Sequence, residues 1–317
     1  MEENHQFVTL DHVPHQTSSE VLIRERLQAR VRSIVRSGID VKSFIPALNL
    51  SYIEHPQKVS NCFYVLSVGL ILSGQKRLTI ADKTYHYGTG TMVVTSMDMP
   101  TAYELLNVTP ASPFVSLSYR LDPAILTELL LESGDSMTSA SEAVKLGEPS
   151  LELLEDFDRL LRLLEHPEQI KVRAPLLIRD IHILALSYDS GACLRAHYVP
   201  DSIGSRIRKA IRWMRDNFRQ TLPVEKLAEI ADMAPATFHR HFKTLTSYSP
   251  RQYQKRLRLY EAQQFLLRGE GDVNSAAYAV GYSSPQQFNR DYKNLFGMSP
   301  GKSLKEQRGV LDELPED

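Results

Sequence analysis

Cysteine is scarce in this chain, which contains only Cys62 and Cys193 among 317 residues. Two isolated cysteines provide neither a disulfide framework nor a C-x-x-C pair for metal binding or redox chemistry. We therefore expect two free, buried thiols in a reducing cytosol, and we predict a cytoplasmic protein.

Long apolar runs and common catalytic motifs are missing as well. No segment approaches the roughly 20 apolar residues that cross a bilayer, and the N-terminal M-E-E-N-H-Q does not match a secretory signal peptide. The motifs G-x-S-x-G and H-E-x-x-H and the P-loop do not occur. These absences predict no membrane contact, no catalytic residues and no cofactor, in a protein that is not an enzyme.

Charge is nearly balanced over the whole chain, with a net charge of −1, but it is unevenly distributed. Residues 201–310 contain 19 Lys and Arg against 10 Asp and Glu, whereas residues 1–200 contain 18 against 24. Residues 311–317 form an acidic tail. This division indicates a polyanion-binding domain attached to an acidic partner domain; a basic face that is merely solvated is the alternative.

The length of the chain predicts two domains, because one hydrophobic core rarely extends beyond about 250–300 residues. Residues 1–42 are predicted to be a polar tail followed by a helix. Over residues 43–121, short β-type runs alternate with turns, which favours an antiparallel sandwich or barrel. The predicted strands are 63–68, 70–72, 77–80, 84–87, 92–95 and 114–119.

Helical periodicity begins near residue 122 and continues to residue 197, with Leu-rich segments. These helices form either a layer over the sheet or a dimer interface, and the sequence leaves both interpretations open. Residues 198–204 are the predicted linker. Residues 205–310 are predicted to be entirely helical.

A repeated segment dominates the C-terminal part. Residues 235–250, P-A-T-F-H-R-H-F-K-T-L-T-S-Y-S-P, recur 50 residues later as P-Q-Q-F-N-R-D-Y-K-N-L-F-G-M-S-P. Apolar residues at i, i+4 and i+7 indicate one buried helical stripe in each copy. These residues are Phe238, Phe242 and Leu245 in the first copy, and Phe288, Tyr292 and Leu295 in the second. Arginine and lysine occupy the opposite face at equivalent positions of both copies.

Each copy follows a short helical segment and a turn, which is the pattern of a helix-turn-helix unit. The supporting segments are 224–231 and 273–280, and a long basic helix beginning at residue 251 joins the two units. The sequence therefore predicts an all-α domain with two helix-turn-helix units joined by a long helix.

This domain resembles the DNA-binding domain of the AraC/XylS family of bacterial transcription regulators. The resemblance rests on L-A-E-I-A-D-M-A-P-A-T-F-H-R-H-F-K, R-L-R-L-Y-E-A-Q-Q-F-L-L and A-V-G-Y-S-S-P-Q-Q-F-N-R-D-Y-K-N-L-F-G-M-S-P. The run 63–121, with G-Q-K-R-L-T-I and Y-H-Y-G-T-G-T-M-V-V-T-S-M-D-M-P, is similar to the cupin-like effector domain of one AraC branch.

The resemblance implies that both recognition helices enter the major groove of a bipartite operator, about one helical turn (~34 Å) apart. Positions that match the family's base contacts are Ala236, His239 and Arg240 in the first helix, and Gln286, Gln287, Asn289 and Arg290 in the second. Lys243 and Lys293 are predicted to contact phosphate. For each of these residues, a solvated surface side chain is the alternative. A homodimer is expected, and RNA polymerase is a further candidate partner.

One departure from the family pattern concerns the start of the first recognition helix. Ala234 stands where a capping serine is usual, whereas Ser284 retains that serine in the second unit. Loss of the capping oxygen costs about 1 kcal/mol of helix stability. The first recognition helix is therefore expected to contact fewer bases than the second.

The N-terminal sheet region is predicted to bind a small-molecule effector without a metal. Cupin enzymes use an H-x-H pair, and here His55 and His86 lie far apart in the sequence. Side chains along a strand alternate between the two faces of a sheet, and this alternation predicts that Tyr64, Arg77 and Tyr87 face inward. They are candidates for effector contact, or else packing residues. Two other hypotheses are open: an N-terminal domain that only dimerises or binds a protein, and a metal-free cupin enzyme fused to a DNA-binding domain.

Overall fold

The structure is a computed structural model that describes residues 6–9, 17–134 and 142–304. The predicted acidic tail 311–317, residues 305–310 and most of the predicted N-terminal tail lie outside the described residues. The chain divides into two compact units. The first comprises Met1–Lys58, Tyr64–Met99 and Tyr103–Ser205, and the second comprises Val59–Phe63, Pro100–Ala102 and Arg206–Asp317.

The strands of the described residues form two five-stranded sheets, with the orders β1-β6-β5-β8-β3 and β10-β7-β4-β9-β2. Their bounds are β1 (Gln6–Thr9), β2 (Leu48–Ile53), β3 (Lys58–Tyr64), β4 (Ser67–Ser73), β5 (Gln75–Ile80), β6 (Lys83–Gly88), β7 (Met92–Thr95), β8 (Met99–Leu106), β9 (Phe114–Arg120) and β10 (Val144–Gly147). The first strand, β1, runs parallel to β6. The strand pairs β5–β6, β4–β7, β4–β9, β2–β9 and β7–β10 are antiparallel.

The helices of the first unit are α1 (Ser18–Arg36), α2 (Val41–Phe44), α3 (Pro123–Ser133), α4 (Leu151–Arg162), α5 (Pro167–Ser187) and α6 (Ala192–Tyr198). Thr17 caps α1, because its hydroxyl accepts a hydrogen bond from the backbone N–H of Glu20 while the Glu20 carboxylate accepts one from the N–H of Thr17. Among the described residues, no helix has both the length and the hydropathy needed to cross a membrane.

The core of the first unit lies between one face of the second sheet and helices α1 and α4. Because successive side chains of a strand point to opposite faces, Val68, Leu70 and Leu72 of β4 are buried together. They belong to the same apolar cluster as Leu27 of α1 and Phe157 of α4. The packing of α1 and α4 against this sheet confirms the predicted sheet-plus-helix architecture.

Five of the six predicted strands fall within observed strands, one was wrong in position, and four observed strands were not predicted. The predicted strand 63–68 spans the connection between β3 of the first sheet and β4 of the second, because the apolar run F-Y-V-L-S-V gives no sign of where one strand ends and the next begins. The strands β1, β2, β8 and β10 were not predicted from the sequence. The last of these is a four-residue strand within a region predicted to be helical, and it forms because β7 offers it a free edge.

The helices of the C-terminal region are α7 (Ile203–Asp216), α8 (Val224–Ile230), α9 (Pro235–Thr246), α10 (Pro250–Leu267), α11 (Val273–Ala279) and α12 (Pro285–Phe296). This order confirms the predicted pair of helix-turn-helix units: α8 with α9, α11 with α12, and α10 between them. The capping box of Ser249 and Gln252 starts α10.

Candidate DNA-binding surface

The turns of both helix-turn-helix units are built alike. Each supporting helix is followed by a residue with positive φ, Asp232 (φ 49°) after α8 and Gly281 (φ 86°) after α11. The next residue then donates its N–H back to the supporting helix. Met233 donates to the carbonyl of Ala228 at 2.9 Å, and Tyr282 donates to that of Ala277 at 3.0 Å. These equivalent C-terminal turns direct α9 and α12 away from their supporting helices in the same manner.

One face of each recognition helix is buried as the repeat predicts. Phe238 and Phe242 of α9 are fully buried, as are Phe288 and Tyr292 of α12. Ring centroids within each pair lie 5.4 and 5.6 Å apart. The predicted stripe differs at one position, since Leu295 is half-buried and the neighbouring Phe296 is buried instead.

The opposite faces carry the predicted DNA-contacting side chains. Eight of the nine are exposed, and Asn289 is half-buried. The exposed ones are Ala236, His239, Arg240, Lys243, Gln286, Gln287, Arg290 and Lys293. On α12, the Arg290 guanidinium donates to Oε1 of Gln287 at 2.8 Å, so two of these side chains support each other on the outer surface. Whether these residues contact DNA stays a prediction.

The starts of the two recognition helices differ as the sequence predicts. Ser284 accepts a hydrogen bond from the N–H of Gln287 at 3.3 Å, which caps α12. Ala234 occupies the N-cap of α9 and provides no side-chain acceptor. The first turn of α12 is therefore better fixed than that of α9.

A buried carboxylate behind α12 was not predicted from the sequence. The Oδ2 atom of Asp291 accepts from the Tyr282 hydroxyl at 3.3 Å, and its Oδ1 atom pairs with Nζ of Lys255 on α10 at 2.5 Å. Burial and the neighbouring carboxylate raise the pKa of Tyr282 above its usual range, so its hydroxyl stays a donor. The repeat offered a signal, because the equivalent position of the first copy is His241. The first helix-turn-helix unit therefore has no carboxylate at this position.

The three predicted effector residues lie at different places in the first sheet. Tyr87 is buried and shares a face with the buried Leu78, because β5 pairs with β6 in the register Leu78–Tyr85. Arg77 lies on the other face and pairs with Glu104 at 2.8 Å. The prediction that Arg77 faces inward is therefore wrong, because alternation alone did not reveal which face of β5 is covered.

Tyr64 borders a cation, Lys76, that was not predicted as an effector contact. The Lys76 ammonium lies 4.0 Å from the ring centroid of Tyr103, 5.2 Å from that of Tyr64 and 5.8 Å from that of Phe114. Lys76 is also the register partner of Tyr87, so it lies on the covered face of β5. A positive charge among aromatic rings can receive an anionic group of an apolar ligand.

Metal ligands were not expected in this region. Within the part of the chain that the structure describes, no group of three or more His, Cys, Asp or Glu side chains is placed to hold a metal ion. Neither cysteine forms a disulfide bond; Cys193 is buried and Cys62 is half-buried.

Two family models match the chain in the regions just described. The model of the AraC-type transcriptional regulator N-terminus matches residues 44–193, and that of a helix-turn-helix domain matches residues 227–306. Together they cover more than two thirds of the chain. The chain therefore belongs to the AraC family of transcription regulators, which confirms the resemblance found in the sequence.

Two curated relatives are similar to about a third of this chain. The HTH-type transcriptional activator RhaS of Mannheimia succiniciproducens is 31% identical over 111 residues, which are 34% of this chain and 41% of that protein. RhaS of Escherichia coli O139:H28 is 30% identical over 111 residues, 35% of this chain and 40% of that protein. The chain thus spans about two fifths of the length of the curated relatives it matches.

Solved structures of ToxT from Vibrio cholerae share the fold of this chain. The structure with an unsaturated fatty acid bound has a TM-score of 0.54 at 11% identity, over 81% of this chain and 94% of that one. The structure bound to (E)-4-(8-methylnaphthalen-1-yl)but-3-enoic acid has a TM-score of 0.55 at 12% identity, over 81% and 97%. At this identity the likeness shows the fold alone.

Proposed function

We propose that this protein is a sequence-specific, cytoplasmic transcription regulator that binds double-stranded DNA and has no enzymatic activity. One observation carries the proposal: two helix-turn-helix units of equivalent construction each bury an aromatic face and expose an arginine and a lysine. A single chain with two such recognition helices is suited to a bipartite operator. RNA polymerase is a candidate partner on the basis of the family alone.

The exposed side chains suit the chemistry of base recognition. Arginine can donate two hydrogen bonds to O6 and N7 of guanine, and glutamine or asparagine can pair in the same way with adenine. Arg240 and Arg290 supply the first kind of contact, and Gln286 supplies the second. Lys243 and Lys293 lie one turn further along their helices, where they can neutralise phosphates and place the helices without specifying sequence.

The test starts from an operator selected out of random duplex DNA with the full chain. We expect Arg240→Ala and Arg290→Ala each to lower operator affinity about 5- to 150-fold and to relax specificity at one half-site. The Arg290 loss should be larger, because Gln287 and the Ser284 cap hold Arg290 in place. Lys293→Ala should weaken binding to all sequences alike and lower the salt slope by about one unit.

The control for these variants is Arg120→Ala, which removes an exposed arginine at the end of β9 in the first unit. Its affinity for the operator should match that of the unaltered chain. Failure of the unaltered chain to select any sequence, or equal effects of Arg290→Ala on operator and random DNA, would contradict the proposal.

The effector of the first unit is, in this proposal, a carboxylic acid with an apolar body. The ammonium of Lys76 would pair with the carboxylate, while the rings of Tyr64, Tyr103 and Phe114 would contact the apolar part. The acids named for the ToxT structures have this chemistry, which supports the choice of test compounds.

The measurement is operator affinity of the full chain with and without a panel of fatty and arylalkanoic acids. An effector should change the affinity for the operator without being consumed. Lys76→Met should abolish this change, while the affinity for the operator in the absence of the acid stays the same. A panel without effect on affinity or melting temperature favours an N-terminal domain that only dimerises or binds a protein. Consumption of the acid favours the enzyme hypothesis.

We further propose a homodimer formed through α5. Three apolar side chains on one face of this helix are exposed, with relative accessibilities of 73% for Val172, 71% for Leu176 and 41% for Ile183. Exposed apolar side chains grouped in this way mark interaction sites. Sedimentation should show a dimer that Leu176→Asp converts to a monomer, and an unchanged sedimentation coefficient would refute this interface.

A further inference from the structure

The two recognition helices can contact a bipartite operator only if their separation is maintained. We propose that Arg258 of α10 is the positioning residue that fixes this separation, by joining the end of α7 to the turn that starts α12. This inference rests on the proposed DNA-binding function and goes beyond the side chains that would contact DNA.

Arg258 binds three consecutive backbone carbonyls that follow α7. Its Nε donates to the carbonyl of Phe218 at 2.7 Å, and its Nη2 donates to those of Arg219 at 3.0 Å and Gln220 at 2.8 Å. Gln254, one turn earlier on α10, donates to the carbonyls of Phe218 and Gln220 at 2.9 and 2.6 Å. Carbonyls beyond a helix end lack intrahelical donors, and a permanently charged guanidinium can supply several in a fixed geometry.

The same carbonyl segment touches the second helix-turn-helix unit. At Gly281, an added Cβ would lie 1.9 Å from the carbonyl oxygen of Arg219, so the turn before α12 approaches this segment as closely as only glycine allows. The Arg258 guanidinium lies 5.8 Å from the ring centroid of Tyr282 in that turn. Tyr282 donates in turn to Asp291 of α12, which Lys255 of α10 also binds.

Residues 218–220 are therefore connected to both helix-turn-helix units. On one side they continue through residues 221–223 into α8 and α9. On the other side they contact the turn that leads into α12. Arg258 is the side chain that binds all three carbonyls at once. Its removal should leave each unit folded around its own aromatic core but free to move relative to the other.

The first test measures the separation without DNA. Thr244 and Asn294 are exposed, occupy equivalent positions of α9 and α12, and can be spin-labelled as Thr244→Cys and Asn294→Cys in a Cys62→Ser background. Burial raises the pKa of the Cys193 thiol to about 11, so this thiol should not react. We expect one narrow distance distribution in the full chain, and a clearly broader one after Arg258→Ala.

The second test uses operators whose half-sites are moved apart by one or two base pairs. The unaltered chain should bind these operators about tenfold more weakly than the selected one, because a rigid pair of helices tolerates one spacing. Arg258→Ala should weaken binding to the selected operator and reduce this spacing penalty to about threefold or less. Affinity for a single half-site should be unchanged, which a general loss of folding would not produce.

Matched variants make the result decisive. Arg268→Ala removes another arginine of the same region, whose exposed side chain pairs only with Glu270 among the described contacts, and it should leave both readouts unchanged. If Arg258→Ala fails to fold, Gln254→Ala removes two contacts to the same carbonyls and should broaden the distribution to a lesser extent.

Narrow distributions in both the Arg258 and the Gln254 variants, or an undiminished spacing penalty, would overturn the inference. An unaltered chain that selects no DNA would instead refute the proposed function. The distance measurement would then still decide whether Arg258 fixes the separation of α9 and α12.

Discussion

Three glycines near α12 allow the contact at Gly281 to be measured as a stability difference. Gly281 has a φ of 86°, and an added Cβ would lie 1.9 Å from a backbone oxygen. Gly297 has a φ of 75°, but an added Cβ would meet no atom within 4 Å. Gly301 lies in a helical turn with negative φ and open space around it. Alanine at these positions adds, respectively, strain with a clash, strain alone, and neither.

The expected magnitudes follow from these geometries. The left-handed conformation costs a non-glycine residue roughly 1–2 kcal/mol, so Gly297→Ala should lower the free energy of unfolding by about that amount. Gly281→Ala adds a clash that backbone movement must relieve, at about 1–3 kcal/mol more. Gly301→Ala should be neutral or raise the stability by up to about 1 kcal/mol, because alanine favours a helical backbone.

Thermal unfolding followed by tryptophan fluorescence is the assay. Trp213, the only tryptophan of the chain, lies half-buried on α7 within the second unit and therefore reports on that unit. At about 4 °C per kcal/mol for a domain of this size, Gly281→Ala should lower the midpoint by roughly 8–20 °C and Gly297→Ala by roughly 4–8 °C. Equal shifts for Gly281→Ala and Gly297→Ala would refute the close approach to Arg219.

Two further predictions concern helix caps and a buried carboxyl group. Ala234→Ser should raise, and Ser284→Ala should lower, the free energy of unfolding by about 1 kcal/mol in urea titrations; like signs for the two changes would contradict the capping argument. Burial and the neighbouring Asp180 raise the pKa of Asp156 from 3.8 to about 6 in the folded chain. Because the folded state then binds this proton more tightly than the unfolded state, the contribution of Asp156 to stability should increase as the pH falls from 7 to 5. The difference in unfolding free energy between the unaltered chain and Asp156→Asn should change accordingly, and a difference independent of pH would refute the raised pKa.

The sequence by itself determined the C-terminal architecture. The period of the apolar residues in the repeat specifies helices, and the i, i+4, i+7 positions of Phe238 and Phe288 specify their buried faces. Local chemistry also determined the caps, because a capping oxygen acts within one turn of its own helix. The contrast between Ala234 and Ser284 could therefore be predicted without any tertiary contact.

The N-terminal sheets were predicted as a class but not strand by strand. Pairing joins residues far apart in the chain, so the alternating pattern of a strand does not show its partner or its covered face. For this reason Arg77 was placed on the wrong face, and Lys76 was missed although it is the register partner of Tyr87.

Only the tertiary structure decided how the two DNA-binding units are joined. Arg258 appeared in the sequence as one basic residue of a long helix, and Gly281 as a turn residue. Their common target is a set of backbone carbonyls some 40 residues before Arg258, and backbone groups are the same at every position of a chain. A contact between a side chain and distant backbone therefore leaves no pattern in the residue types, and it becomes visible only when the helices are packed.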